Sequence, residues 1–207
     1  MRGREFFKES YAKSITPWSG MKRVDELTEE FIGLIRGEIP TGKVLDIGCG
    51  EGRVARSFTR MGFDAYGIDY VTEALVKALE ITRKGPFERC SFILGDVLSW
   101  PFRNGVFDIA ADNGCFHHVT KGDWKRYISG LLRVMKPKAF FMLTVFTDED
   151  MHSQRNKRNW IYHKGHYDHF FTIEELKRAF ERWFEFMRIE KSRGGEYTFH
   201  HLLLRRV

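Results

Sequence analysis

Apolar residues in VDELTEEFIGLIRGEI recur at Val24, Leu27, Phe31 and Leu34 or Ile35, a helical spacing that predicts a helix ending before Pro40. Lys43 to Ile47 then reads as a short buried strand and Glu51 to Met61 as a helix. The alternation continues with strands over 65–68, 91–94 and 106–111, and with helices over 72–84 and 123–135. Ala139 to Phe146 is a strongly apolar strand, and Thr172 followed by Glu175 has the form of a capping box at the start of another helix. Strands around 184–190 and 197–205 complete the set. Seven strands alternating with helices predict an α/β fold, a Rossmann-like, doubly wound, mostly parallel sheet covered on both faces.

One connection is long. Residues 147–171 join the fifth strand to the last helix with little periodicity and several His, Arg, Lys and aromatic residues, so a flap over an active site and a loose surface insertion are both open readings. A chain of 207 residues with 43% hydrophobic composition suits a single domain, 1–207. Cys49, Cys90 and Cys115 have neither a disulfide framework nor paired metal spacing, and no metal is expected. No segment reaches 18 uninterrupted apolar residues, and the start lacks an apolar leader core, so a cytoplasmic protein without a membrane span is expected. The formal charge is +6, with the excess in residues 121–207, where 18 basic side chains face 11 acidic ones. No compact basic block stands out, which leaves nucleic acid possible but not favoured.

The chemistry concentrates in VLDIGCGEG, residues 44–52. A buried strand enters a turn with Gly48, Gly50 and Gly52, where small residues let the main chain approach a ligand and amides at a helix start face it. The spacing is GxGxG, whereas a dinucleotide turn uses GxGxxG, and Asp46 places a carboxylate where a pyrophosphate would bring its own negative charge. Asp46 can orient the ammonium of an amino-acid moiety, or simply cap the turn. Asp69, at the end of the next strand, suits the two hydroxyl donors of a ribose, and in GDVLSWPF Asp96 and the Val97 amide suit an adenine edge. Trp100 and Phe102 read as packing residues.

Together these segments and FDIAADNGCFHHV resemble the class I S-adenosylmethionine-dependent methyltransferases, in the small-molecule branch that includes thiopurine and tellurite methyltransferases, over about residues 40–145. The resemblance implies an antiparallel final strand and S-adenosylmethionine as cofactor, with S-adenosylhomocysteine as product. It gives Asp46, Gly48, Cys49, Gly50 and Gly52 to the methionyl end, Asp69 and Tyr70 to the ribose, Asp96 and Val97 to adenine, and Asn113 and Gly114 to the sulfonium side. Residues 11–18 resemble a segment that closes the cofactor site, so residues 1–39 are expected to cover it, with Trp18 a cofactor contact or a packing anchor and Tyr11 near the acceptor.

Methyl transfer needs an acceptor atom in line with the methyl carbon and, for many nucleophiles, a base. His117 and His118 are the base candidates, with structural hydrogen bonding as the other reading. Cys115, Arg155, Trp160 and His166 are candidate acceptor contacts, within a wider set that includes Tyr162, His163, Tyr167, Asp168 and His169. The expectation is methylation of a small-molecule O, N or S nucleophile by a monomer or homodimer. An RNA or protein methyltransferase and an inactive adenosyl-ligand binder are the alternatives.

Overall fold

The computed structural model describes residues 3–13, 21–149, 159–163 and 165–207. A seven-stranded sheet forms from β1 (Lys43–Ile47), β2 (Asp64–Asp69), β3 (Cys90–Leu94), β4 (Phe107–Asn113), β5 (Met135–Phe146), β8 (Phe184–Gly194) and β9 (Tyr197–Arg206). Their order is β3-β2-β1-β4-β5-β9-β8, and every pairing is parallel until β9, which runs antiparallel to both β5 and β8. The helices are α1 (Arg4–Ala12), α2 (Lys22–Glu38), α3 (Arg53–Arg60), α4 (Thr72–Arg83), α5 (Trp124–Val134) and α6 (Ile173–Phe180).

Central strands bury both faces, as a helix-covered parallel sheet requires. Leu45 and Ile47 of β1 and Phe141, Leu143 and Val145 of β5 join one apolar cluster, while Val44, Phe140 and Met142 join the cluster on the opposite face. The chain leaves β1 toward β2 on one side and later returns to β4 on the other. That reversal opens a crevice at the strands' carboxyl ends, where doubly wound sheets bind ligands.

The expected helix cap is present: Thr172 Oγ1 accepts the Glu175 N–H at 3.0 Å. Three boundaries differ from expectation. β4 runs on through Asn113 rather than stopping at Ala111, held by the pairing of Asp112 with Leu143 and Asn113 with Thr144. β5 begins at Met135, where a single pairing with Phe107 precedes a register shift. α1 has too few residues to announce itself, since nine-residue helices are marginal alone; it is held by packing on α4, with Phe7 and Tyr11 against Tyr70, Val71 and Ala74.

The described part of the long connection includes two short strands. It contains a hairpin of β6 (Trp160–His163) and β7 (His166–His169), closed by a turn with Gly165 at φ 81°. No helix of the described residues is long and apolar enough to cross a membrane.

Candidate active site

A cavity of about 250 Å³ lies at the carboxyl ends of β1, β2 and β4, roofed by α1 and β7. At one end the turn after β1 sets its shape. Gly48 and Gly50 have φ of 64° and 53°, and a Cβ on Gly48 would lie 2.6 Å from the Cys115 Cβ and 2.8 Å from its Sγ. A Cβ on Gly50 would meet the Tyr11 hydroxyl. Both positions therefore require glycine for backbone geometry and for space.

Two carboxylates organise this turn. Asp46 Oδ2 accepts the Ala55 N–H at 2.9 Å, capping α3 from the preceding strand. Asp69 Oδ2 accepts the Gly50 N–H at 2.9 Å and its Oδ1 accepts the Val71 N–H at 2.8 Å, tying the glycine turn to the end of β2. Burial pushes the Asp46 carboxyl up to about 7, with the Ala55 hydrogen bond opposing and the neighbouring Asp112 and Asp69 adding to it. Asp69 is raised as well, by burial against the hydrogen bonds it accepts. No ion pair among the described residues reaches either acid, and both line the cavity. The turn thus presents buried negative charge that a cationic ligand would relieve and a phosphate would aggravate.

The other end is built from imidazoles and aromatic rings. Below it, Asp112 Oδ1 accepts the N–H groups of Cys115 and Phe116 at 2.8 and 3.1 Å, and its Oδ2 accepts the Tyr127 hydroxyl at 2.6 Å, which fixes the turn leading to His117. His117 stacks on Phe146 with ring centroids 3.7 Å apart. Burial first, then the neighbouring His118, holds it well below the ordinary histidine range. His118 Nδ1 lies 2.9 Å from Asp168 Oδ1, and His166 Nε2 lies 3.3 Å from the other oxygen of the same buried carboxylate. Phe6 stacks on His166 at 4.0 Å and Phe7 stands edge-on to His118 at 4.9 Å.

Most of the residues singled out in the sequence meet here. Asp46, Gly48, Cys49, Gly50, Asp69 and Tyr70 line the cavity from the β1 and β2 side. Asn113, Gly114, Cys115, His117 and His118 line it from β4 onward, and Tyr11 and His166 close it.

Four are placed elsewhere. Gly52, at φ 76°, caps α3 against the Phe92 ring. Asp96 Oδ1 accepts the Leu98 N–H at 2.7 Å on its own loop, and the Val97 side chain is buried in the main core, a position that bears on the side chain and not on the amide expected to meet adenine. Trp160 is 42% exposed and lines a separate surface depression with Lys121 and Tyr167, because the hairpin turns that face away from the cavity. Trp18 and Arg155 lie outside the described residues.

Phe6, Phe7, Met21 and Val24 line the cavity without having been singled out as site residues. Of these, Val24 alone carried a sequence signal, its apolar spacing, which marks a buried face without saying what it is buried against. Asp168 belonged to the wider set in the long connection; its place beside His118 is set by the hairpin register, which pairs Asp168 with Ile161 and so points it inward. Of the His163, His166, His169 set, His166 faces the cavity while His169 lies 2.7 Å from Glu175 on the opposite face, and the His163 side chain lies outside what is described. Among the described residues no group of three His, Cys, Asp or Glu is placed to hold a metal ion.

Comparison with known proteins agrees with this geometry. A family described as a methyltransferase domain matches residues 44–138. An uncharacterized methyltransferase of Synechocystis is 28% identical over 143 residues, covering 69% of this chain and 59% of the relative. Norajmaline N-methyltransferase of Rauvolfia serpentina is 31% identical over 113 residues, covering 52% of this chain and 37% of that enzyme. The matched segments thus span under two thirds of either relative's length. Among solved structures, 1,6-didemethyltoxoflavin-N1-methyltransferase of Burkholderia thailandensis, with S-adenosylhomocysteine and 1,6-didemethyltoxoflavin bound, superposes with a TM-score of 0.81 at 19% identity, covering 99% of this chain and 87% of that one. Sheet order, glycine turn and matched segment together make this chain a protein of the class I S-adenosylmethionine-dependent methyltransferase fold, resembling the small-molecule enzymes of that fold.

Proposed function

We propose that the cavity binds S-adenosylmethionine against the glycine turn and transfers its methyl group to a small-molecule O, N or S nucleophile held at the imidazole end. The observation that carries this reading is the pair of buried carboxylates, Asp46 and Asp69, facing the cavity beside Gly48 and Gly50. Asp46 suits the ammonium of the methionyl part, and Asp69 retains lone pairs for ribose hydroxyls after accepting two backbone N–H groups. The cofactor supplies a methyl group on a positively charged sulfur; the chain's task is to align the acceptor and exclude water. Alpha helix α1 and the β6–β7 hairpin, in the two segments expected to cover the site, do the excluding.

The small-molecule acceptor is supported by the confined cavity and by the likeness to the Burkholderia enzyme with its small acceptor bound. Within the small-molecule enzymes, the strand-end motifs and residues 11–18 favour the branch resembling thiopurine and tellurite methyltransferases. The adenine is expected to lie beyond the ribose toward the 95–98 turn, where the Val97 amide and the second carboxylate oxygen of Asp96 are its expected partners.

Titration calorimetry tests the assignment. S-adenosylhomocysteine should bind and NAD should not; the reverse preference would overturn the reading. Asp69→Ala should weaken S-adenosylhomocysteine binding by about 10- to 100-fold, because it removes a charged acceptor for ligand hydroxyls and unties Gly50. An unchanged dissociation constant in the folded variant would remove Asp69 from the site.

A further inference from the structure

We propose that the acceptor end is built for a hydroxyl group, received between the Nε2 atoms of His117 and His118, with Asp168 as the positioning residue that fixes which of the two rings takes the proton. This rests on the methyl-transfer reading and names the attacking atom that reading left open.

The argument begins with His118. Its Nδ1 lies 2.9 Å from Asp168 Oδ1 and 3.0 Å from the Tyr167 carbonyl oxygen. A carbonyl accepts only, and so does an ionised carboxylate. Burial would raise the Asp168 carboxyl, but hydrogen bonds from His118 and His166 outweigh that and hold it well below the usual range. Nδ1 therefore carries the proton of the neutral ring, and Nε2 carries a lone pair.

His117 has the opposite arrangement. The Phe146 N–H donates to its Nδ1 at 3.3 Å, and the ring is held neutral, so its proton is on Nε2. The two Nε2 atoms are 3.1 Å apart. A single ordered chain results, from the Phe146 amide through His117 and His118 to the Tyr167 carbonyl, with the Asp168 carboxylate 2.9 Å from the same Nδ1.

Both rings line the cavity, so its wall offers one N–H donor and one lone pair side by side. A hydroxyl oxygen accepts and donates through the same atom and can enter between them. A thiol does both only weakly, and a neutral amine has one lone pair, which it cannot both offer to the His117 N–H and use to attack the methyl carbon, whereas a hydroxyl oxygen has two. Two bonds of about 2.8 Å to one oxygen need the nitrogens to part to about 4.5 Å. Phe7 against His118 and Phe6 over His166 keep the surroundings apolar, which strengthens both bonds.

In the transfer, the acceptor oxygen bonds the methyl carbon as the carbon–sulfur bond breaks, with that electron pair going to sulfur. The hydroxyl proton passes to His118 Nε2. Asp168 balances the imidazolium, and the product ether oxygen then accepts from both Nε2–H groups.

The test uses the full chain saturated with S-adenosylhomocysteine and nitrogen-edited NMR of isotope-labelled histidines, with phenol as the hydroxyl probe and toluene as its control. The expected tautomers are Nε2–H for His117 and Nδ1–H for His118. Phenol should shift both Nε2 signals, and toluene neither. His117→Phe should weaken phenol binding about three- to tenfold without changing toluene binding. Asp168→Asn should leave the His118 proton on Nδ1, where the Tyr167 carbonyl still receives it, and shrink the phenol shift at His118 Nε2, because a neutral partner makes that nitrogen a weaker acceptor, while S-adenosylhomocysteine affinity stays within about twofold. A proton on Nε2 of wild-type His118, or phenol behaving like toluene or failing to bind, would overturn the proposal. Failure to bind S-adenosylhomocysteine would instead overturn the methyl-transfer reading beneath it.

Discussion

Asp46→Asn is expected to stabilise the ligand-free protein above neutral pH while weakening its hold on S-adenosylhomocysteine. The carboxyl is 2% exposed and pushed up to about 7, from an ordinary value of 3.8. The sign follows from which state binds the proton more tightly. Folding raises this group's affinity for a proton, so the charged form costs stability; that cost is full above pH 7 and fades as pH falls toward 3.8. A difference of about three pH units corresponds to roughly 4 kcal/mol. The asparagine removes the charge and keeps an oxygen to accept the Ala55 N–H. Melting at pH 8 should therefore favour the variant, with its advantage shrinking by pH 5.

The same charge is what a ligand ammonium would pair with. Wild-type affinity for S-adenosylhomocysteine should fall about tenfold from pH 8 to pH 6 as Asp46 takes up its proton, and the variant should lose most of that dependence. A site that trades stability for binding in this way is a common feature of functional clefts. Equal melting of the two proteins at pH 8, together with equal affinity, would dismiss Asp46 as the cation's partner.

Asp112→Ala should produce the largest loss of stability. It strands the amides of Cys115 and Phe116 and the Tyr127 hydroxyl, all of which Asp112 accepts beneath the acceptor end. Buried donors left without a partner cost about 1–3 kcal/mol each, and partial relaxation brings the sum to about 3–5 kcal/mol. That corresponds to a fall in Tm of roughly 10 °C for a chain of this size. Asp112→Asn should cost far less, because its amide oxygen still accepts the two backbone groups. Calorimetric melting of the two variants side by side checks this, and an alanine variant within about 2 °C of wild type would refute it.

The sheet and the glycine turn were legible in the sequence because both depend on local chemistry. An apolar run such as VLDI must be buried wherever it sits, and Gly48 and Gly50 answer to backbone angles that few other residues adopt. Asp46 and Asp69 could be placed at successive strand ends for the same reason: period and spacing fix where a strand stops. That reasoning also marked Asp96 and Val97, which sit in the loop after β3 outside the residues lining the cavity, with Asp96 Oδ1 accepting the Leu98 amide. A carboxylate two residues from a free N–H has a local partner available, and the sequence does not reveal which partner wins.

The tertiary structure decided what faces the acceptor. α1, from the first residues of the described chain, and β7, from far along it, meet over His118, bringing Phe6, Phe7, His166 and Asp168 to residues separated from them by tens of positions. The hairpin's alternation then sent Trp160 outward and Asp168 inward. Residue identity and spacing determined the ligand turn and its charge, because those are properties of one strand and one bend. The proton order of His117 and His118 belongs to the fold alone, because each ring's tautomer is set by a partner from another element: the Phe146 amide of β5 for one and the Tyr167 carbonyl of β7, beside the Asp168 carboxylate, for the other.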